Sequence, residues 1–472
     1  MKNNKKIDFT EELENFKRNF KKLRGKTDPG LVLMFDGLIC VMSLMIKVIE
    51  ELSKKKTSSN SHIPPSQDPN RNKDKKTGNI SKKKPGGQNG HEGKSLLQIE
   101  NPNEVIVHKV DKCNCCANKL NEKHLVGIEK RQVFDIKTYV WVTEHQVEIK
   151  SCKCGNINTA SFPLQVNAPV QYGNGVKALV VYLNQYQLIP YNRVIQTLND
   201  KFGLSISEGS IANFNKTAFE KLQTFEETTK EELLESGLLF GDETGASVNK
   251  KKHWIHILSN ERSTLYNISE HRGIKGINEM GILSRYTGFL MHDFWSSYFS
   301  FDQCVHLICN SHLLRELEFS SKEEKQQWAK KIKELLDICY IEKDLHNGNL
   351  PYKSIVKFEK RYDNILKAAN KECPEKVGSR KRIAQTKSRC LLERMINYKN
   401  SILMFLYHED FPFTNNQAER DFRMTKVQQK ISGQFKSIQG AKWFCRIRSF
   451  ISTCRKRDVN IKDALLNVFN SA

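Results

Sequence analysis

Apolar residues recur every seven positions near the N-terminus at Leu31, Leu38, Met45 and Leu52, with Phe35, Met42 and Ile49 between them. An a/d seam of this kind predicts a helical, leucine-zipper-like segment over residues 1–56. It can join two chains, or pack on its own protein, since Val41, Leu44 and Val48 widen the stripe. The pattern then dissolves. Residues 57–100 are dominated by Lys, Ser, Asn, Pro and Gly and read as a basic flexible linker that cannot bury enough apolar surface to fold alone. Alternation returns over 104–150, in EVIVHKV and RQVFDIKTYVWVTEHQVEIK, which predicts strands. Helical periodicity follows. One helix is expected from Gly175 to Gln187. A second runs from Pro190 to Phe202 and is stopped by Gly203, and a third begins near Glu208 under a Ser207 cap. Two helices joined by a short turn make 170–232 helix-turn-helix-like, with Asn213, Asn215 and Lys216 on the third helix. A plain helical hairpin has the same pattern.

From residue 236 the chain reads differently. GLLFGDETGASV, HWIHILS and STLYNIS are three successive strand candidates. RGIKGINEMGIL suits a helix, GFLMHDF a fourth strand and VHLICN a fifth. Three strands, then helix, strand, helix, strand is the order of an RNase H-like α/β domain. A helical insertion is expected at about 320–410, and the catalytic domain spans 233–459 with a short C-terminal tail at 460–472. The whole is a multidomain α+β protein.

Charge narrows the partners. Lys and Arg total 76 against 53 Asp and Glu, a net +23, which suits a polyanion. The apolar run Leu31–Ile46 contains Asp36 and is too short to span a bilayer, so nucleic acid rather than membrane is expected, in the cytoplasm. Thirteen cysteines in a reducing compartment should be free thiols or metal ligands. Cys113-x2-Cys116 and Cys152-x-Cys154 bracket the alternating stretch. Four thiolates on two knuckles suit one structural Zn²⁺, giving a zinc finger over 101–165 with β-hairpins between the knuckles. Cys115 is a spare thiol.

Three acids stand out. Asp242 lies on the first apolar strand of the α/β region and Asp293 closes the fourth. Glu243 should face the other side of its strand. Glu419 lies on a helix predicted to begin with a Thr414-x-x-Gln417 capping box, with Arg423, Lys426 and Lys430 following on its face. Three carboxylates can gather two Mg²⁺ or Mn²⁺ ions for in-line displacement at phosphorus. In CNSHLLRE, His312 and Arg315 sit at a strand-to-helix corner from which they can support that site, as Arg423 can from the Glu419 helix. With only two soft ligands close together, a second zinc site is not expected at Cys309 and His312. Lys82, Lys83, Lys84, Lys426, Lys430, Lys436, Lys442, Arg446 and Arg448 are the expected phosphate contacts.

Taken together, SSNSHIPPSQD, KKPGGQNGHEG, the paired-cysteine finger, GDET, HDFWSSY, CNSHLLRE, NNQAER and KISGQFKSIQGAKWF resemble transposases of the insertion-sequence-66 family. The resemblance runs from about Ser58 to Val459. It implies a DDE triad at Asp242, Asp293 and Glu419, action on terminal inverted repeats and target DNA, and a homo-oligomer on DNA. It also implies accessory proteins encoded by the element, and a bacterial, nucleoid-associated setting. Two other readings remain open: a catalytically inactive DNA-binding protein, and a metal-dependent nuclease that cuts without joining.

Overall fold

Five strands form the central sheet, in the order β5-β4-β3-β6-β7. They are β3 (Leu238–Val248), β4 (Lys251–Ser259), β5 (Thr264–Ser269), β6 (Phe289–His292) and β7 (Val305–Ile308). β3, β4 and β5 are antiparallel neighbours, whereas β6 runs parallel to β3 and β7 parallel to β6. The computed structural model describes residues 17–19, 28–53, 97–136, 138–376 and 384–471. The chain divides into two units: Lys73–Gln171 with Gln196–Ile206, and the remainder.

Alternation along each strand sorts the two faces of the sheet. Phe240, Ile255, Ile257, Tyr266, Ile268, Met291 and Leu307 enter one core. Leu239, Leu258, Leu265 and Leu290 enter the other, with Ile277, Met280, Ile282, Leu283 and Tyr286 from the segment between β5 and β6. That segment holds one short helix, Ile274–Asn278, where the sequence suggested a longer one.

Between β7 and the helix that carries Glu419, the described regular elements are all helical: Asn310–Lys322, Gln327–Leu345, Tyr352–Glu372, Lys387–Asn397 and Lys399–Leu403, then the 3₁₀ turn Met404–Leu406. This excursion is tied back to its start. The Asn310 N–H donates to Phe413 O (3.0 Å). The buried Lys343 ammonium donates to the carbonyls of His408 and Phe411 (2.7 Å each). A long insertion therefore ends beside β7, where it began. The final helices are Asn416–Ser432, Ile438–Lys456 and Ile461–Asn470. The Ile438–Lys456 helix covers edge strand β5: Ser449 Oγ and Thr453 Oγ1 accept the N–H groups of Tyr266 (2.9 Å) and Thr264 (3.1 Å), which would otherwise be left unpaired.

Before the sheet come helices Asn174–Val181, Tyr191–Phe202, Glu208–Lys221 and Gln223–Leu234. The expected Gly175–Gln187 helix changes to a π-helical turn at Tyr182–Tyr186. Ser207 caps the third helix through the N–H of Ser210, and Gly203 adopts φ +64 after the second, as their residue types predict. The N-terminal helix Pro29–Ser53 leaves Leu31, Met34, Leu38 and Met45 exposed.

In the other unit the expectation of strands fails. Between 104 and 150 the β pairing among the described residues is limited to the bridge Lys112↔Lys119 and the start of a small ladder, β1 (Ile149–Ser151) with β2 (Ile157–Thr159). Val105, Val126, Val133 and Trp141 are exposed. Alternation gives a segment two faces, but a ladder also needs a partner strand and a surface to cover it.

Candidate active site

β3 and β6 pair Leu238 with Phe289, Leu239 with Leu290 and Phe240 with Met291, a constant offset of 51 residues. Asp242 and Asp293 have the same offset, so the register carries them to adjacent positions where the strands part. β6 ends at His292 while β3 runs on to Val248. The acids thus flank the crevice at the carboxyl ends of parallel strands, where open α/β sheets bind ligands.

Glu419 arrives from the first turn of helix Asn416–Ser432. The predicted capping box does not form. The N-cap is Asn415, and its side chain caps nothing in the helix. Instead Asn415 Nδ2 donates to Gly241 O (2.9 Å), one residue before Asp242, and the Asn415 N–H donates to Cys309 Sγ (3.1 Å). Further along, Gln429 Nε2 donates to Gly245 O (2.9 Å), and Phe435 bridges Val248. The helix is stitched along β3, which brings its acid to the strand pair. Sequence reasoning missed Asn415. Its signal was the NN preceding the helix, where one Asn can bond away from the cap.

Burial pushes the Asp242 carboxyl well above the usual carboxylate range, and the negative fields of Glu243, Asp293 and Glu419 act in the same direction. All three neighbours therefore lie within electrostatic reach of Asp242. Glu243 is otherwise engaged. Its side chain is 2% exposed, Arg272 donates to Oε1 through Nη2 (2.8 Å) and Nε (3.0 Å), and Tyr298 donates to Oε2 (3.0 Å). Arg272 is in turn held against the rings of Trp295 (3.5 Å) and Trp254 (4.8 Å). Asp242 Oδ1 accepts only a local bond, from the Glu243 N–H (2.8 Å), and Asp293 Oδ1 accepts one from the Trp295 N–H (2.8 Å).

His312 lies one turn into the Asn310–Lys322 helix, and its ring nitrogen, Cys309 Sγ and a Glu419 oxygen all fall within 4.8 Å of one another. Arg315 turns back to donate to Ser311 O (3.2 Å). Lys426 is half-buried: burial lowers its ammonium pKa, and the charge of Asp242 opposes that shift. A cavity of about 740 Å³ lies at the other ends of the strands, lined by Gly237, Leu238, Phe289 and Tyr407 among others. The acids are away from that cavity, with Asp242 and Asp293 partly buried and Glu419 exposed.

Residues 169–443, more than half the chain, match the model of the Transposase IS66 family. The chain belongs to the IS66 transposase family. The matched region contains all three acids and the helical excursion, and it begins after the finger cysteines. A search among curated proteins gave no matching relative. As a transposase-family protein, the chain is an enzyme of DNA cleavage and strand transfer, with DNA as its partner. No helix among the described residues is long and apolar enough to cross a membrane.

The cations expected to hold DNA in this transposase-family chain separate into three groups. Lys82, Lys83 and Lys84 lie outside the described residues. Lys430, Lys436 and Lys442 are exposed and Lys426 is half-buried. Arg446 and Arg448 are not surface cations, contrary to expectation. Arg446 is 15% exposed, bonded to Glu226 Oε2 (2.5 Å) and to Phe219 O (2.9 Å), and stacked on the Phe219 ring. Arg448 is 2% exposed and packs near Tyr266. Their helix is basic by composition, but covering β5 turns these two inward. Asn215, expected on a DNA-reading helix, is fully buried and donates to Asn184 Oδ1 (2.9 Å) and the Tyr191 hydroxyl (3.1 Å), which leaves Asn213 and Lys216 facing out.

Each of the two cysteine pairs closes locally. N–H groups of Cys116 and Cys115, with the Cys116 thiol, pull the Cys113 thiol below its usual range. The N–H and thiol of Cys154 do the same for Cys152, in a turn that needs Gly155 at φ +85. Cys115 is exposed. Among the described residues, the two cysteine pairs do not come together as a four-ligand group.

Proposed function

We propose that this chain is a DNA transposase that binds the terminal inverted repeats of its element and cuts and joins DNA at an Asp242–Asp293–Glu419 triad in an RNase H-like domain. The strand order β5-β4-β3-β6-β7, with three antiparallel strands followed by two parallel ones, supports that fold. The observation that carries the function is the register match of Asp242 with Asp293, joined to the Asn415–Gly241 bond that tethers the helix of Glu419.

The donor set fits hard divalent ions. It is all carboxylate, and Asp242, raised first by burial and further by the negative charge of its neighbours, is a group whose charged form a cation would favour. Two Mg²⁺ or Mn²⁺ ions, when bound, supply charge stabilisation to both the attacking and the leaving oxygen. Asp242, which meets the charges of both other acids, would hold the ions together with Asp293 and Glu419, and Lys426, which meets the charge of Asp242, would balance charge there. His312, Arg315 and Arg423 support the scissile phosphate, and the exposed lysines of the two C-terminal helices hold the strands around it. In the first reaction water attacks phosphorus, the P–O3′ bond breaks and a 3′-OH is released. In the second that hydroxyl attacks a target phosphodiester and displaces the target's own 3′ oxygen. One P–O bond forms for each one broken, so the joining needs no external energy source.

The lowered thiols of Cys113 and Cys152 fit Zn²⁺ held by Cys113, Cys116, Cys152 and Cys154 as a structural cross-link. The exposed apolar face of Pro29–Ser53 suits pairing of two copies on DNA. Incubating the protein with candidate inverted-repeat ends, target DNA and Mg²⁺ tests the reading. Joined product is expected. Cleavage without joining points to the nuclease alternative, and binding with neither reaction points to the inactive one.

A further inference from the structure

Glu419 has two sets of neighbours. One is the pair Asp242 and Asp293, whose charges it meets at Asp242. The other is Cys309 and His312, whose donor atoms lie with its own inside a 4.8 Å group. We propose that Cys309, His312 and Glu419 form a binding site for one soft divalent ion of the zinc class, and that filling it withholds Glu419 from the hard-ion site of Asp242 and Asp293.

The donor chemistry is selective. Sulfur and imidazole suit Zn²⁺ and related ions, while Mg²⁺ demands oxygen. Tetrahedral Zn–S and Zn–N bonds put neighbouring donors about 3.5 Å apart, a distance this group reaches with small side-chain movements. Three protein donors leave a fourth position open for water or phosphate oxygen. The fold supports the geometry. Cys309 ends the strand-to-helix corner and His312 lies one turn on, so Cys-x2-His turns both donors to one side. Cys309 Sγ already accepts the Asn415 N–H (3.1 Å), the kind of bond that stabilises a metal thiolate. That same residue, Asn415, sets the start of the helix bearing Glu419. The corner therefore couples sulfur, imidazole and the third acid through one backbone link. The sequence showed two soft ligands here, and the fold adds the third from a remote helix.

Ion binding at this corner stands independently of the catalytic reading. Only the inhibitory consequence rests on it. The test is a Co²⁺ titration of the full-length protein, stripped of metal and held in excess Mg²⁺ to occupy the carboxylates. Wild type is expected to take up one more equivalent, with thiolate-to-cobalt absorption, than either Cys309→Ser or His312→Gln. Asp242→Asn keeps that equivalent, and Glu419→Gln weakens it at least about tenfold. Circular dichroism checks that each variant is folded, and His312→Gln decides if Cys309→Ser is not. Equal uptake by wild type and His312→Gln overturns the proposal, as does loss of the extra equivalent in Asp242→Asn. Micromolar Zn²⁺ should slow Mg²⁺-dependent cleavage by wild type and slow His312→Gln less. Equal slowing overturns the inhibitory part. An extra Co²⁺ equivalent without any Mg²⁺-dependent cleavage leaves this site standing and removes the catalytic reading instead.

Discussion

The three acids and the paired cysteines bring candidate metal ligands into place in opposite ways. Asp242, Asp293 and Glu419 are far apart in sequence, yet a hydrogen-bonded register and the Asn415 tether bring them together. The four finger cysteines come as two close pairs, each closed by its own turn, and the pairs are not united. In the first region packing builds the site, so the apo protein already presents it. In the second, few apolar side chains are covered, and under the proposed zinc reading the ion supplies the cross-link that packing does not. A metal site can be a product of the fold or a condition for it, and the proposed reading gives this chain one of each.

The contrast breaks most visibly at the triad. Asp293→Asn should reduce cleavage and joining of element ends at least about a thousandfold while leaving end binding within about twofold. Gel-based assays of both read this directly, and residual activity near wild type would dissolve the packed-site half of the comparison. Cys113→Ser with Cys116→Ser should remove zinc and weaken end binding roughly ten- to a hundredfold, with the melting transition of the sheet unit unchanged. Loss of that transition would mean that the two regions are not independent. Asn415→Ala leaves Gly241 O without its donor. It should cost about 1–2 kcal/mol of stability and about tenfold in cleavage, seen by denaturant titration and initial rates. Unchanged rates with lowered stability would show that the tether holds the fold but not the acid.

The smallest effect concerns the basic helix. Burial works against the charge of Glu226, but Arg446 and Lys230 more than offset it and hold its pKa below the usual range. A lowered acid contributes stability that is complete above its unfolded pKa and lost as pH falls through its folded one. Arg446→Met should therefore cost about 1–2 kcal/mol at neutral pH, with the deficit shrinking below about pH 4, and should leave the salt dependence of DNA binding unaltered. A shallower salt slope would return Arg446 to the surface role its composition suggested.

The sheet was legible in the sequence because each strand alternates or is apolar throughout and each stops at a clear break, so GLLFGD and GFLMHD marked one acid on a strand and one just past the end of another. The shared offset of 51 was legible too, once parallel pairing was assumed. The role of Asn415 was not, because a capping box and a side chain bonded to a distant carbonyl have the same local sequence. The inward turn of Arg446 and Arg448 was hidden for a related reason. Composition counts charges without saying which face of a helix covers a strand edge. The finger misled in the other direction. Alternation over 104–150 describes two faces but cannot create a partner for either.

The central claim is that three carboxylates form one ion-binding centre. Its most direct test is anomalous diffraction from crystals of the protein with an element-end DNA and Mn²⁺. Two manganese peaks about 4 Å apart, both touching Asp242 and flanked by Asp293 and Glu419, are the predicted result. Peaks that avoid Asp242, or carboxylates that bind no manganese with DNA present, would contradict it.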